Sequence, residues 1–422
     1  MFRECTVGGK DKMDAVLRKN ADEIVKASLK AVLPDEAVQR ALADYKPGKG
    51  KTYLVATGKA AWQMAKAAVD TLGKVDNGVV VTKYDHVMGE IPGVECHEAG
   101  HPVPDKNSFK GTAAAIDLVK DLTQDDTVLF LLSGGGSALF EQPLISGDEL
   151  QDITRQLLAC GADITEMNTI RKRLSSVKGG KFAKICAPAH VLSIVLSDII
   201  GDPLDMIASG PAYPDSTTCA DALAIVSKYG LNLTDKAMAL LKVETPKELD
   251  NVTTMITGSV RELCAAAAVK CGELGYEPVL LTDQLTCEAR EAGSFMAGIV
   301  RTHAGDGKKL AYIAGGETVV HLTGKGLGGR NQELALAAAP GISGIPGAAV
   351  FSVGSDGTDG PTDAAGGYVD ADTLKELADK GIDVFEVLKN NDAYHALGEV
   401  EGLIMTGPTG TNVNDVAVAL IG

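Results

Sequence analysis

The feature that most constrains this chain is a repeated local grammar. Short, continuous runs of aliphatic and β-branched residues end in Gly, Ser, Thr, Asp or Lys, and a helical pattern often follows. Residues 53–56 run into Gly58 and Lys59, 79–82 into Lys83 and Asp85, and 128–132 into Ser133 and three glycines. Residues 191–196 run into Ser197 and Asp198, and 279–281 into Thr282 and Asp283. Residues 310–314 lead to Gly315, Gly316 and Glu317, and 349–353 to Gly354, Ser355 and Asp356. Buried runs alternating with helices predict an α/β architecture with mainly parallel sheets. Such sheets bind ligands beyond the carboxyl ends of their strands, where these polar loops fall. Residues 11–45 read as two helices broken at Pro34.

The 422 residues suggest two domains. The polar segment 242–251, with Pro246, is the expected boundary, giving domains 1–245 and 250–422. The last strand-like run, 402–405, could pair with either. The 48 glycines are dispersed, which excludes collagen-like repeats and points to many close backbone approaches. The net charge of −16 opposes binding to DNA or to an anionic membrane, and the few aromatic residues offer little stacking surface for single strands. No run reaches the roughly 18 apolar residues of a membrane span, and the charged first thirty residues lack a signal-peptide core. The eight cysteines, including Cys5, form neither C-x-x-C nor a zinc spacing, so a reducing cytoplasm is expected.

Four stretches could carry chemistry. Ser133-Gly134-Gly135-Gly136-Ser137 follows a buried run, and its consecutive N–H groups would suit a phosphate or carboxylate. A tight strand-to-helix turn would look the same. Gly324-Lys325-Gly326-Leu327-Gly328-Gly329-Arg330 satisfies G-x-G-x-x-G between a strand-like run at 319–323 and a helix from about 332. Asp356 then ends the next run, where a ribose-binding acid would stand. Lys325 and Arg330 also suit a longer phosphate chain. Residues 165–184 carry Arg171, Lys172, Arg173, Lys178, Lys181 and Lys184 against the single acid Glu166. That run is either a solvated helix face or an anion site. Finally, Asp356, Asp359 and Asp363 crowd a loop rich in hydroxyls and glycine, a hard-oxygen set suited to Mg²⁺. Gly50-Lys51-Thr52 imitates the end of a phosphate-binding P-loop, but Tyr45 stands where its first glycine is needed. His97, His101 and His190 are too scattered for a metal site and read as structural.

Together the motifs resemble the glycerate 2-kinases of the MOFRL family. The resemblance rests on Thr57-Gly58-Lys59-Ala60-Ala61, Gly100-His101-Pro102-Val103-Pro104-Asp105, Ser133 to Ala138 and Met167-Asn168-Thr169-Ile170-Arg171-Lys172. It continues through Lys178-Gly179-Gly180, Leu196-Ser197-Asp198, Ala208-Ser209-Gly210-Pro211 and Gly315-Gly316-Glu317-Thr318. Gly328-Gly329-Arg330-Asn331-Gln332-Glu333 and Gly354 to Gly360 complete it, so that it spans about residues 12–420. It implies a larger N-terminal Rossmann-like α/β/α sandwich, a smaller C-terminal α/β domain, and an active-site cleft between them. It also implies ATP-dependent phosphorylation of the 2-hydroxyl of D-glycerate to 2-phosphoglycerate, with a divalent cation. Some members carry the older label hydroxypyruvate reductase.

In that reading Lys59 and Arg330 neutralise charge on the transferred phosphoryl group. Ser133, Gly134, Gly135, Gly136 and Ser137, with Arg171 or Lys178, hold phosphate or the glycerate carboxylate. Asn168, Lys325, Asn331, Glu333 and Asn412 are further candidate contacts to substrate or phosphate. Asp356 and Asp359 hold Mg²⁺ or help to deprotonate the hydroxyl, Asp198 is a second candidate base, and Glu317 a further metal candidate. The expected partners are ATP and D-glycerate, with a homodimer left open and neither nucleic acid nor membrane. Two alternatives remain at this stage. One is an NAD(P)H-dependent hydroxypyruvate reductase resting on Gly324, Gly326 and Gly329. The other is a two-lobed binding protein without catalysis.

Overall fold

The computed structural model describes residues 11–422, so Cys5 lies outside the described residues. The chain divides into two compact units, one of residues 34–257 and one joining the N-terminal helix to residues 258–422. The expected division at 242–251 therefore differs in two respects. The break falls at the end of a strand, and the helix Asp11–Ala31 joins the C-terminal unit, where it packs on the helix Val260–Glu273.

The first unit holds six strands: β1 (Thr52–Thr57), β2 (Asn77–Lys83), β3 (Val94–Ala99), β4 (Thr127–Leu132), β5 (His190–Leu196) and β6 (Val252–Gly258). They lie in the order β3-β2-β1-β4-β5-β6, and the pairings from β3 to β5 are parallel. Successive side chains of a strand point to opposite faces, and here both faces are covered. Leu54 and Ala56 of β1, with Leu129 and Leu131 of β4, pack against Met64, Ala65 and Ala68 of the helix Ala61–Leu72. Val55, Val128, Phe130 and Leu132 face the other way, toward Ala115 and Val119 of the helix Lys106–Val119. Three rings, Phe130, Phe140 and Phe182, meet there with centroids 4.8–5.8 Å apart. Asp105 caps the helix Lys106–Val119 by accepting from the N–H groups of Asn107 and Ser108. This is the expected Rossmann-like sandwich.

The second unit holds β7 (Glu277–Leu285), β8 (Leu310–Gly316), β9 (Ala348–Gly354), β10 (Gly366–Asp370), β11 (Leu403–Ile404) and β12 (Asp415–Ile421). Their order is β11-β10-β9-β12-β8-β7. Only β7 and β8 pair in parallel; β12 lies antiparallel between β8 and β9, and β10 and β11 continue antiparallel. The expectation of mainly parallel sheets is thus corrected for this half. The run at 402–405 becomes β11 on the edge of this sheet. The fully buried β12 was missed because a polar loop precedes it and no helix follows. Its register sets Asp415 opposite both Gly316 and Gly354. The loops after β8 and β9 are thereby drawn to the start of β12. The helices Ala289–His303 and Arg330–Ile342 bury an alanine-rich face against this sheet. No helix among the described residues is long and apolar enough to cross a membrane.

Candidate active site

Each unit gathers polar groups at its strand ends. In the first, the strand order reverses between β1 and β4, which opens a crevice beyond their carboxyl ends. Gly58, at φ +117°, lets the β1 loop lie directly on Ser133; a Cβ there would sit 2.2 Å from the Ser133 hydroxyl. The two loops are pinned by Lys59 N–H donating to the Gly134 carbonyl (2.9 Å) and Ala60 N–H to Ser133 Oγ (3.1 Å).

The three glycines after Ser133 are explained by what rests on them. A Cβ on Gly134 would lie 2.3 Å from the Asp198 carboxylate. One on Gly135 would lie 3.1 Å from the His101 ring and 3.2 Å from Lys59 Cγ, and one on Gly136 would lie 2.6 Å from Ala208 Cβ. Lys59 and Asp198 are thus brought together with the glycine loop. The N–H groups of these glycines find no backbone carbonyl acceptor among the described residues, and the Asp198 carboxylate lies against the first of them. Lys59 is exposed, and its ammonium has no carboxylate partner among the described residues.

Behind this loop the basic segment behaves differently from a solvated face. Lys172 is fully buried and pairs with Asp205 (3.2 Å) and Asp215 (3.1 Å). Arg173, also buried, reaches Asp215 (3.5 Å) and Glu244 (3.3 Å). Lys178, named above as an anion ligand, forms a fully buried ion pair with Glu141 and donates to the Ser137 carbonyl at 2.8 Å. Burial lowers its ammonium to about 8, with Glu141 opposing that shift. Its contact with the site therefore runs through Ser137. Arg171 Nη2 donates to the same carbonyl (3.1 Å), while its buried Nε has no hydrogen-bond partner among the described residues. Asn168 Oδ1 accepts from Ser209 Oγ (2.9 Å), which in turn meets Ser137 Oγ (2.9 Å). Asn168, Arg171 and Lys178 therefore all bear on Ser137.

In the second unit Arg330 opens the helix Arg330–Ile342. Its guanidinium grips Asp415 twice, through Nε (2.5 Å) and Nη2 (3.0 Å), and reaches Glu317 through Nη1 (3.2 Å). Burial pulls this guanidinium down, but Asp415 and then Glu317 outweigh it and hold it above its ordinary value. Asn331 and Gln332 donate their N–H groups to the two oxygens of Asp359 (3.2 and 2.8 Å). Burial raises the Asp359 carboxyl to about 6, with those N–H groups opposing. Asp359 is a helix cap with both oxygens engaged. Glu317 is shared between Arg330 and Asn414 (3.2 Å), and Asp356 Oδ1 accepts from its own loop at Thr358 N–H (3.0 Å). The expected metal set of Asp356, Asp359 and Glu317 does not converge. No group of three or more His, Cys, Asp or Glu among the described residues is arranged around a cation. Glu333 is buried between Asn391 (3.1 Å) and Arg290 (3.2 Å), and Asn412 is an exposed turn residue whose Oδ1 accepts from Asn414 N–H (3.3 Å).

The formal dinucleotide pattern fails on structure. Residues 319–323 form no strand, only a single bridge at Val319. Gly324 N–H donates to Asn391 Oδ1 (3.0 Å), Lys325 N–H to Asn390 Oδ1 (3.2 Å), Gly326 N–H to the Asn390 carbonyl (2.8 Å) and Leu327 N–H to Asp392 Oδ1 (2.8 Å). The donors a pyrophosphate would need are used by the chain itself, and Lys325 is left exposed on that loop.

His101 was passed over in the sequence because a lone histidine carries no metal spacing. Its place in Gly100-His101-Pro102, between a strand and a capped helix, was the available signal.

Comparison with known proteins finds relatives along nearly the whole chain. Residues 20–242 match the model of a domain of unknown function, DUF4147, and residues 310–415 that of the MOFRL family. A D-glycerate 2-kinase of Thermotoga maritima is 52% identical over 412 residues, covering 96% of this chain and 98% of the relative. The crystal structure of a glycerate kinase from that organism matches with a TM-score of 0.92 at 52% identity, covering 97% of this chain and 100% of that one. A relative from Agrobacterium vitis, 40% identical over 391 residues and covering 89% of this chain and 88% of its own, carries the provisional name hydroxypyruvate reductase. With its motifs held at two sets of strand ends and these relatives matched along nearly its whole length, the chain belongs to the MOFRL family of glycerate 2-kinases.

Proposed function

We propose that the chain transfers the γ-phosphoryl group of ATP to the 2-hydroxyl of D-glycerate, releasing ADP and 2-phosphoglycerate. The observation that carries this reading is the row of N–H groups at Gly134 to Gly136, which have no backbone acceptor among the described residues, with the Lys59 stem and the Asp198 carboxylate packed on the same glycines. Phosphoryl transfer asks a protein mainly for positioning and charge neutralisation, and these groups supply both. Lys59 offsets charge on the transferred phosphoryl oxygens. The glycine N–H groups hold phosphate or the substrate carboxylate, and Asp198 orients the attacking hydroxyl. Lys178, Arg171 and Asn168 fix the loop from behind through Ser137. Arg330, oriented by Asp415 and Glu317, is the candidate phosphate-neutralising cation of its own unit.

A divalent cation such as Mg²⁺ typically takes one or two carboxylates together with nucleotide phosphates. Asp356 fits that limited demand, because only its Oδ1 is engaged within its loop. Asp359 does not fit, because both its oxygens accept from the helix N-terminus. The ion would neutralise charge on the β- and γ-phosphates.

The test is product identification by NMR after incubation with ATP, Mg²⁺ and D-glycerate. The expected product is 2-phosphoglycerate. Formation of 3-phosphoglycerate, absence of any phosphorylated product, or NADH oxidation with hydroxypyruvate would overturn the reading. Lys59→Ala and Arg330→Ala should each lower kcat about 10²–10³-fold, the usual cost of removing one preorganised charge-stabilising group.

A further inference from the structure

We infer that His101 is a catalytic residue, the group that takes the proton from the attacking 2-hydroxyl as the new O–P bond forms. The inference rests on the phosphoryl-transfer reading above and assigns the base that the reading leaves open.

His101 follows β3 and stands over the glycine loop. Its Cδ2 and Nε2 both lie 3.1 Å from where a Cβ of Gly135 would be, on the same glycine that Lys59 covers with its stem. The Nε2 edge is therefore turned to the open donors of Gly134 to Gly136 and to the Lys59 side chain. The ring is half-buried, and among the described residues neither ring nitrogen has a hydrogen-bond partner. Buried polar groups normally find one, so a half-buried imidazole left unpaired beside an anion-binding loop is poised for a ligand.

The neighbouring charges favour a base over an acid. Burial, followed by the charges of Lys59 and Lys83 and by His86, lowers the ring's pKa below the usual histidine value. The carboxylates nearby are Asp105, whose oxygens are held by the Asn107 and Ser108 N–H groups and Tyr84 Oη, and Asp198, which lies over Gly134. The shift favours the neutral imidazole, the form a proton acceptor requires.

In the step, the glycerate 2-oxygen bonds to the γ-phosphorus and the bond from that phosphorus to the β,γ-bridging oxygen breaks, releasing ADP. The hydroxyl proton passes to Nε2 and is later lost to solvent. Protonating His101 removes the base, so activity falls as pH drops through the lowered histidine value.

The experiment uses the full chain with ATP, Mg²⁺ and D-glycerate. Wild-type 2-phosphoglycerate formation is established first, and its absence overturns the phosphoryl-transfer reading itself. With turnover in hand, kcat is followed from pH 5 to 9 for wild type, His101→Gln and Asp198→Asn. A general base contributes about 10²–10⁴-fold. His101→Gln should lose kcat on that scale, keep its KM for ATP within about threefold, and lose the acidic limb that Asp198→Asn retains. A His101→Gln enzyme with near wild-type kcat and an intact acidic limb would overturn the inference. So would loss of that limb in Asp198→Asn alone. Because substitution could perturb the loop, His101→Gly is assayed with added imidazole. Recovery of turnover supports the assignment, and a folded variant that imidazole does not restore counts against it.

Discussion

Two glycine-rich loops look alike in the sequence and do opposite things in the molecule. Ser133 to Ser137 follows a buried strand of the parallel sheet, and its glycine N–H groups have no backbone acceptors among the described residues. Gly324 to Gly329 follows irregular chain, and the N–H groups of residues 324–327 are bound to Asn390, Asn391 and Asp392. In the first loop, glycine lets Asp198, His101 and Lys59 touch the backbone; in the second, it lets one stretch of backbone touch another. A glycine motif thus records that something comes close, without recording whether that neighbour is functional side chain or scaffold. The formal dinucleotide pattern fell on the closed loop, and the reductase alternative falls with it.

The contrast can be broken by three substitutions. The largest effect is expected at Lys178, which supports the open loop through Ser137. Lys178→Met leaves Glu141 buried without its partner, and a broken buried pair costs about 3–5 kcal/mol. Denaturant unfolding measures it, and the double variant Lys178→Met with Glu141→Leu should recover most of the loss. A single variant that unfolds like wild type would show that the open loop is not held from behind.

Gly134→Ala comes next, and its cost should appear in catalysis rather than stability. The new methyl group meets the movable end of Asp198 and pushes that carboxylate off the loop. A displacement of this size is worth about 10²-fold in kcat. A variant of unchanged kcat would remove Asp198 and Gly134 from the site.

Gly326→Ala should do the reverse and more weakly. Its methyl group meets the backbone of Asn390 and Asp392, which cannot swing aside. Overpacking of this kind costs about 1–3 kcal/mol, with kcat of the folded protein within about threefold of wild type. A large kcat loss without loss of stability would return the 324–329 loop to the active site.

Much of the first unit was legible because its strands are continuous apolar runs, and such runs appear only where both sheet faces are covered. Its functional loops were legible for the same reason, since they begin where the runs stop. β3 escaped notice because Val94-Glu95-Cys96-His97-Glu98-Ala99 is a polar and only partly buried strand. His101 was lost with it. In the second unit the mixed sheet hid the rule, because strand ends there meet a strand start. Arg330 finds Asp415 only because β12 inserts between β8 and β9. The basic segment was visible as charge, but its partners Asp205, Asp215 and Glu244 lie more than thirty residues along the chain.

The sequence by itself determined the alternation of strands and helices, the polar loops at their ends, and through its many ordered motifs the family. Those properties are local, written in runs, turns and capping residues. The tertiary structure decided which loops stay open and which cations stay unpaired. Hydrogen-bond satisfaction and charge pairing are long-range, and each donor is free or engaged according to what the fold brings beside it. By that criterion Lys59 has no ion pair and the 134–136 donors no backbone acceptor among the described residues, whereas Lys172, Lys178 and the 324–327 donors are already engaged by the protein.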